Sequence, residues 1–346
     1  MDGTILLFLL QDGITNGAIY ALLGIALVLV FAVTRVIFIP QGEFVAFGAL
    51  TYSLLEAGRL PGTVWLLVGF GVAAFVSDLA AMRRAGPSLR RLAVAAVSDL
   101  VIPGLLALVA ARVAGRGLGA GAHFALTVAL ITPLGPLLYK IAFRPIAAAS
   151  VLTLLIASVG VHLALVGLGL VFFGAEGLRA PAVSDLMVNV GPLLVTGQSI
   201  AVYVVTLVAI VALWLFFERT LWGKALRATA VNGLGARLVG IRTSFSGTLA
   251  FALAAGVGAV SGILVAPMTT IYYDTGFLIG LKGFVAAIIG GLASHPATAL
   301  AALAVGAVES FAAFFASDMK EIVVFSLILP VLVWRSLTAT HVEEED

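Results

Sequence analysis

Runs of about twenty residues that are apolar on every side recur along this chain, and a segment of that length and character is what a bilayer-spanning helix requires. The stretches 64–76, 151–173 and 201–217 contain no Asp, Glu, Lys or Arg. Strands crossing a membrane would instead alternate in polarity over about ten residues, so the helical solution applies. Composition agrees: 62% of residues are hydrophobic and 10% charged, against about 45–50% and about 25% in a soluble domain. The expected fold is an all-α, polytopic integral membrane bundle of roughly eight to eleven spans.

Apolar runs and their breaks place helices near 14–34, 40–56, 63–80, 94–113, 122–141, 150–173, 199–217, 246–268, 298–316 and 322–336. The segment 278–297 is apolar but rich in glycine and ends at Pro296. It reads either as a span or as a short broken helix buried in protein. Pro133 and Pro136 predict a kink or break within one span. Before Arg35 the only charges are Asp2 and Asp12, so the N-terminus reads as a first membrane helix and not a cleaved signal.

A formal net charge of +2 with a pI near 9.0 does not point to nucleic acid, because the basic residues sit in short clusters between spans. Such clusters set topology. With the N-terminus outside, 13 of the 19 basic residues fall on the cytoplasmic side, among them Arg35, Arg83, Arg84, Arg90, Arg91, Lys140, Arg144, the group from Arg219 to Arg242, and Arg335. Lys282 is left unassigned. This orientation, C-terminus inside, requires 278–297 to cross. The tetrapeptide Val-Ser-Asp-Leu occurs at 76–79, 97–100 and 183–186, too short to establish a repeat.

The longest cytoplasmic stretch, 218–245, does not look like a flexible linker. Leu234, Leu238 and Ile241 recur at helical spacing and place three apolar side chains on one face. So short a helix is marginal in water unless it lies against another protein or the membrane interface.

At this point the residues resemble the permease subunits of branched-chain amino acid ABC importers. ABC importer permeases carry a coupling helix, commonly Glu-Ala-Ala, three residues and Gly, that docks on the ATPase. Here Leu234-Gly235-Ala236 and Gly240-Ile241 occupy that pattern, with Leu234 where the acid stands. Gly17 to Leu22, Gln41-Gly42-Glu43 with Gly48-Ala49, Arg144-Pro145 leading into 152–160, and Gly290-Gly291, Pro296, Gly306 and Glu309 are similar to further family patterns. The likeness covers 13–50 and 140–335; residues 57–121 and the segment 334–337 depart from it.

The resemblance implies a permease domain over 1–346 in the cytoplasmic (inner) membrane, translocating branched-chain amino acids, or behind them urea or short amides, by alternating access. It implies ATPase coupling through Leu234, Gly235, Ala236, Leu238, Gly240 and Ile241. The implied partners are cytoplasmic ATP-binding subunits, a second homologous or identical permease subunit, an extracytoplasmic substrate-binding protein and the lipid bilayer around this chain, without nucleic acid. No cofactor is expected in this chain, ATP being used by the partner. The sequence contains no Gly-x-x-x-x-Gly-Lys-[Ser/Thr] loop.

Candidate path residues are Tyr20, Gln41, Glu43 and Glu309. Glu43 reads as interfacial and solvated, or as lining the path near the cytoplasmic entrance. Glu309, deeper in its run, reads as a hydrogen-bonded group within the bundle. An ionised carboxylate in hydrocarbon costs several kcal/mol unless paired or hydrated. His123, His162, His295 and His341 are dispersed with no i, i+4 partner, so they suit packing and interface roles and not a metal site. The tail 337–346 reads as a solvated acidic end. Two rivals remain: an ion-coupled secondary transporter, which would gather several polar groups around broken helices at mid-membrane, and a non-transporting membrane scaffold.

Overall fold

The computed structural model describes residues 3–85, 89–184 and 186–338. The side chains of Arg83, Arg84 and Arg335, the third Val-Ser-Asp-Leu aspartate Asp185, His341 and the acidic tail beyond Thr338 lie outside the described residues. In chain order the elements are α1 (Gly3–Thr34), α2 (Gln41–Glu56), α3 (Thr63–Ala85), α4 (Leu89–Ala96), α5 (Ile102–Val113), α6 (Ala120–Ile131), α7 (Leu134–Leu138), α8 (Val151–Phe173), a hairpin of β1 (Met187–Val190) and β2 (Leu193–Thr196), α9 (Gly197–Arg219), α10 (Leu221–Val231), α11 (Gly233–Leu238), α12 (Thr243–Val265), α13 (Gly276–Ile289), α14 (His295–Phe315), α15 (Lys320–Ser326) and α16 (Ile328–Thr338). Among the described residues eight helical stretches are long and apolar enough to cross a membrane, and the chain is a polytopic helical bundle. The hairpin pairs Met187 with Thr196 and Val190 with Leu193.

Several expected breaks occur where local chemistry demands them. The span predicted at 122–141 divides at Thr132–Pro133 between α6 and α7, because proline offers no N–H to the preceding turn. Ser150 caps α8 by accepting from the Thr153 amide at 3.2 Å. Asn232 does the same for the Gly235 amide of α11 at 2.8 Å. The first helix starts at Gly3 and not near 14. Asp12 is accommodated inside it because Ser310 donates to its carboxylate at 3.1 Å.

Two helices packed on each other inside the bundle, α2 and α13, are too short to cross unaided. At 16 and 14 residues, α2 and α13 reach only about 24 and 21 Å, against roughly 30 Å of hydrocarbon. Residues 35–40 carry the chain back into the bundle: the Ile39 amide donates to Ser158 Oγ at 2.9 Å, and Gln41 Nε2 to the Ala254 carbonyl at 3.0 Å, halfway along α12. Residues 266–275 enter from the opposite end along α8. Ala180 bonds Ala266 at 3.0 Å, Leu178 and Ile271 form a bridge, and Phe277 stacks on His162 at 4.5 Å. Non-helical backbone at this depth is tolerated only when enclosed by protein, and Val36, Phe38 and all of 40–55 are buried. The ambiguous 278–297 segment thus resolves into a short helix, a turn at Gly290–Ser294, and the start of α14.

The short helices run in opposite directions, since Gly42 meets both Gly276 and Gly280 while Ala46 meets Gly276. A Cβ at Gly42 would overlap the Gly276 carbonyl oxygen. The same closeness joins Gly262 of α12 to the α2 backbone at Val45 and Ala49, and Gly17 of α1 to Leu303 of α14. Small residues permit such approach in lipid. Below the entrance of 35–40, Phe38, Phe44, Phe143 and Phe251 form a cluster of rings, with Phe38 and Phe251 centred 4.8 Å apart.

Gly262→Ala should therefore lower the detergent-solubilised melting temperature by the equivalent of about 1–3 kcal/mol. Gly160→Ala, whose added methyl meets nothing within 4 Å, should be neutral or slightly stabilising; equal effects would contradict the close-packing assignment.

Candidate functional site

Each candidate path residue lies inside the bundle, and each is engaged. Tyr20 on α1 donates to Glu309 Oε2 on α14 at 2.6 Å. Lys282 on α13 donates to Glu309 Oε1 at 2.5 Å and to Glu321 Oε1 on α15 at 3.1 Å. One buried lysine thereby ties three helices, with Tyr20 binding the fourth. Lys282 and Glu309 are 6% and 7% exposed, so neither has water to replace the other. Buried ion pairs of this sort add little net stability, but removing one partner strands the other at a large cost.

Glu43 is not interfacial: it is fully buried in the first turn of α2 and its Oε1 faces His162 Nδ1 on α8 at 2.7 Å. The carboxylate is tolerated there because the imidazole and the positive end of the α2 backbone dipole both favour it. Its second oxygen, and Oε1 of Gln41, have no hydrogen-bond partner. At the other end of α2, Glu56 faces His123 on α6 at 2.8 Å. Two of the dispersed histidines thus pair with the two carboxylates of one helix, an arrangement spacing could not disclose. Among the described residues no group of three or more metal-ligating side chains forms.

A third ionic group lies toward the basic end. Lys140 reaches Asp78 and Asp99, each at 2.7 Å, and Arg144 reaches Asp78 at 3.3 Å. Lys140 and Asp99 each sit in a single π-helical segment, Tyr139–Phe143 and Val97–Val101, where the wider turn redirects a side chain. Asp78 and Asp99 are the aspartates of the first two Val-Ser-Asp-Leu copies, so the tetrapeptide marks a shared partner.

The stretch 218–245 folds as α10, α11 and a turn. Gly240 has φ +88°, the Gly240 amide bonds the Arg237 carbonyl at 3.0 Å, and the Ile241 amide bonds that of Ala236 at 2.9 Å. This paired closure needs a glycine. Ala236 is buried, whereas Leu234 and Leu238 are 70% and 82% exposed. Val231 and Val239, not singled out from spacing, flank α11 and are also exposed. Arg227 donates to Glu218 at 2.8 Å, and that hydrogen bond pushes the guanidinium pKa further above its ordinary value, keeping it charged.

Lys282→Met should reduce stability by about 3–5 kcal/mol, and Lys282→Met with Glu309→Met should recover most of that loss, as read by thermal unfolding in detergent. Strictly additive losses would mean that the two groups do not interact.

A family model described as the permease component of branched-chain amino acid transport systems matches residues 9–332, running through 57–121. The high-affinity branched-chain amino acid transport system permease protein LivH of Escherichia coli (strain K12) is 25% identical over 345 residues, covering 96% of this chain and 95% of that protein. BraD of Pseudomonas aeruginosa, a permease protein described in the same terms, is 28% identical over 224 residues, 62% of this chain and 72% of that protein. Among solved structures, PsaBC from Streptococcus pneumoniae in complex with Fab aligns over 96% of this chain and 95% of that one, with 12% identity and a TM-score of 0.38. That likeness is too loose to inform the fold.

Proposed function

This chain belongs to the family of permease components of branched-chain amino acid ABC transporters, and on that premise we propose that it moves branched-chain amino acids inward, driven by ATPase subunits seated on 218–245. It is a membrane-spanning transport subunit. The observation that carries the coupling role is the apolar surface of Val231, Leu234, Leu238 and Val239, exposed on short helices beyond the ends of the spans. Apolar side chains gathered beyond the spans mark an interaction surface, and on the family premise its occupant is the ATPase. Leu234 and Leu238 make the contact; Gly235, Ala236, Gly240 and Ile241 shape the turn that presents them.

In this reading Tyr20, Gln41, Glu43 and Glu309 border the path at the junction of α2 and α13. Glycine-to-glycine contact has no interlocking side chains to resist sliding, so alternating access opens there. The chain works beside a second permease subunit and receives substrate from an extracytoplasmic binding protein, with its N-terminus outside and the α10–α11 end in the cytoplasm. Broken helices and buried charges would also suit an ion-coupled carrier. Family membership and the exposed surface on α11 favour the ATP-driven reading.

The test is ATP-dependent uptake of labelled leucine into proteoliposomes holding this chain with its ATPase, second permease and binding protein. Leu234→Asp with Leu238→Asp should weaken ATPase association and cut uptake at least about tenfold, with the permease's own melting temperature unchanged. Movement of a different solute would overturn only the substrate; uptake by this chain alone on an ion gradient would overturn the ATP-driven assignment.

A further inference from the structure

A cleft of about 1040 Å³ opens at the basic end between α3, α4 and the segment following α7. Arg90 and Arg91 of α4, Lys140, Arg144 and Arg242 are among the residues that line it, with Asp78 beside them. Asp78 and Asp99 compensate Lys140 and Arg144. Among the described residues, Arg90, Arg91 and Arg242 have no acidic partner within salt-bridge distance, which leaves three positive charges at the cleft, two from α4 and one from the residue preceding α12. Ala81 and Met82 of α3 and Val94 and Ala95 of α4 add apolar lining beside the charges. Beyond the cleft, Val76 of α3, Val97 and Val101 of the π-helical segment, and Ile102 and Leu105 of α5 present exposed apolar side chains along the same helices.

We propose that this cleft binds the phosphodiester headgroup of an anionic phospholipid, its acyl chains lying along those apolar side chains. The arginines supply counter-charges and planar donors suited to phosphate oxygens. The apolar residues in the lining and the exposed apolar side chains along the adjoining spans distinguish a lipid from a soluble anion, and basic pockets between membrane helices take anionic headgroups on these terms. Lys140, fixed by two aspartates, keeps the floor of the cleft rigid, while Arg242, directly after the α11 turn, joins the headgroup to the 218–245 stretch. A bound lipid would thus brace α4 against the start of α12.

The test compares retention of phosphatidylglycerol and phosphatidylcholine on the detergent-purified full chain by native mass spectrometry. Wild type should retain phosphatidylglycerol selectively, and raising salt several-fold should weaken that selectivity. Arg90→Gln with Arg91→Gln and Arg242→Gln should weaken it on the order of a hundredfold, three cationic contacts being lost. The corresponding triple lysine variant should keep most of it, as should Arg112→Gln with Arg116→Gln at the other end. If the glutamine variant does not fold, the lysine variant and the salt series on wild type decide. Selectivity that is absent in wild type, insensitive to salt, or intact in a folded glutamine variant overturns the proposal. Equal protection by inorganic phosphate or glycerol phosphate would assign the cleft to a soluble anion, and displacement of the lipid by the ATPase subunit would assign it to that partner.

Discussion

Gly42 and Gly276 meet backbone to backbone, and the interior of the bundle is arranged around that contact. Each glycine opens a helix too short to span, and each is reached by an extended segment entering from a different end. Such segments carry amide and carbonyl groups that hydrocarbon cannot solvate. Enclosure by the surrounding helices supplies missing partners, as the bond from the Ile39 amide to Ser158 of α8 illustrates. A side chain at either glycine would separate the short helices and expose those groups.

The buried charges follow from the same geometry. Glu43 lies where α2 begins and so is carried to mid-bundle, where His162 satisfies one oxygen. Lys282, on the short helix descending from the junction, can reach Glu309 and Glu321 because α13 packs between α14 and α15 at that level. These pairs favour one arrangement of the helices at little net gain in stability. A permease that must alternate between two arrangements is served by contacts of that kind, strong as pairs yet nearly balanced against their solvation.

Much of the bundle was legible because apolarity over some twenty residues is a local property. The spans expected at 63–80, 150–173 and 199–217 match α3, α8 and α9 within a few residues. Pro133 likewise announced its own break. Pairings across the sequence were not legible: Glu43 and His162 stand 119 residues apart, so an acid beside Pro40 looked interfacial. Lys282 could not be placed until α13 was. The repeated Val-Ser-Asp-Leu held a signal, since two of its aspartates share Lys140, but four residues acquire meaning only when the helices are assembled. On α11 the periodicity of Leu234 and Leu238 matched exposure, whereas Val231 and Val239 are exposed in the residues flanking the helix, outside that periodicity.

Because the sequence contains no cysteine, a single introduced thiol is a unique reporter of sidedness and contact. The most direct measurement is labelling of Leu238→Cys and, separately, Val188→Cys in sealed vesicles with a membrane-impermeant maleimide, with and without the ATPase subunit. The account predicts that Leu238→Cys reacts only from the ATP-binding side and is protected when the ATPase is bound, while Val188→Cys reacts only from the other side and is unaffected. Labelling of both positions from one side, or a Leu238→Cys thiol that stays fully reactive in the assembled complex, would contradict it.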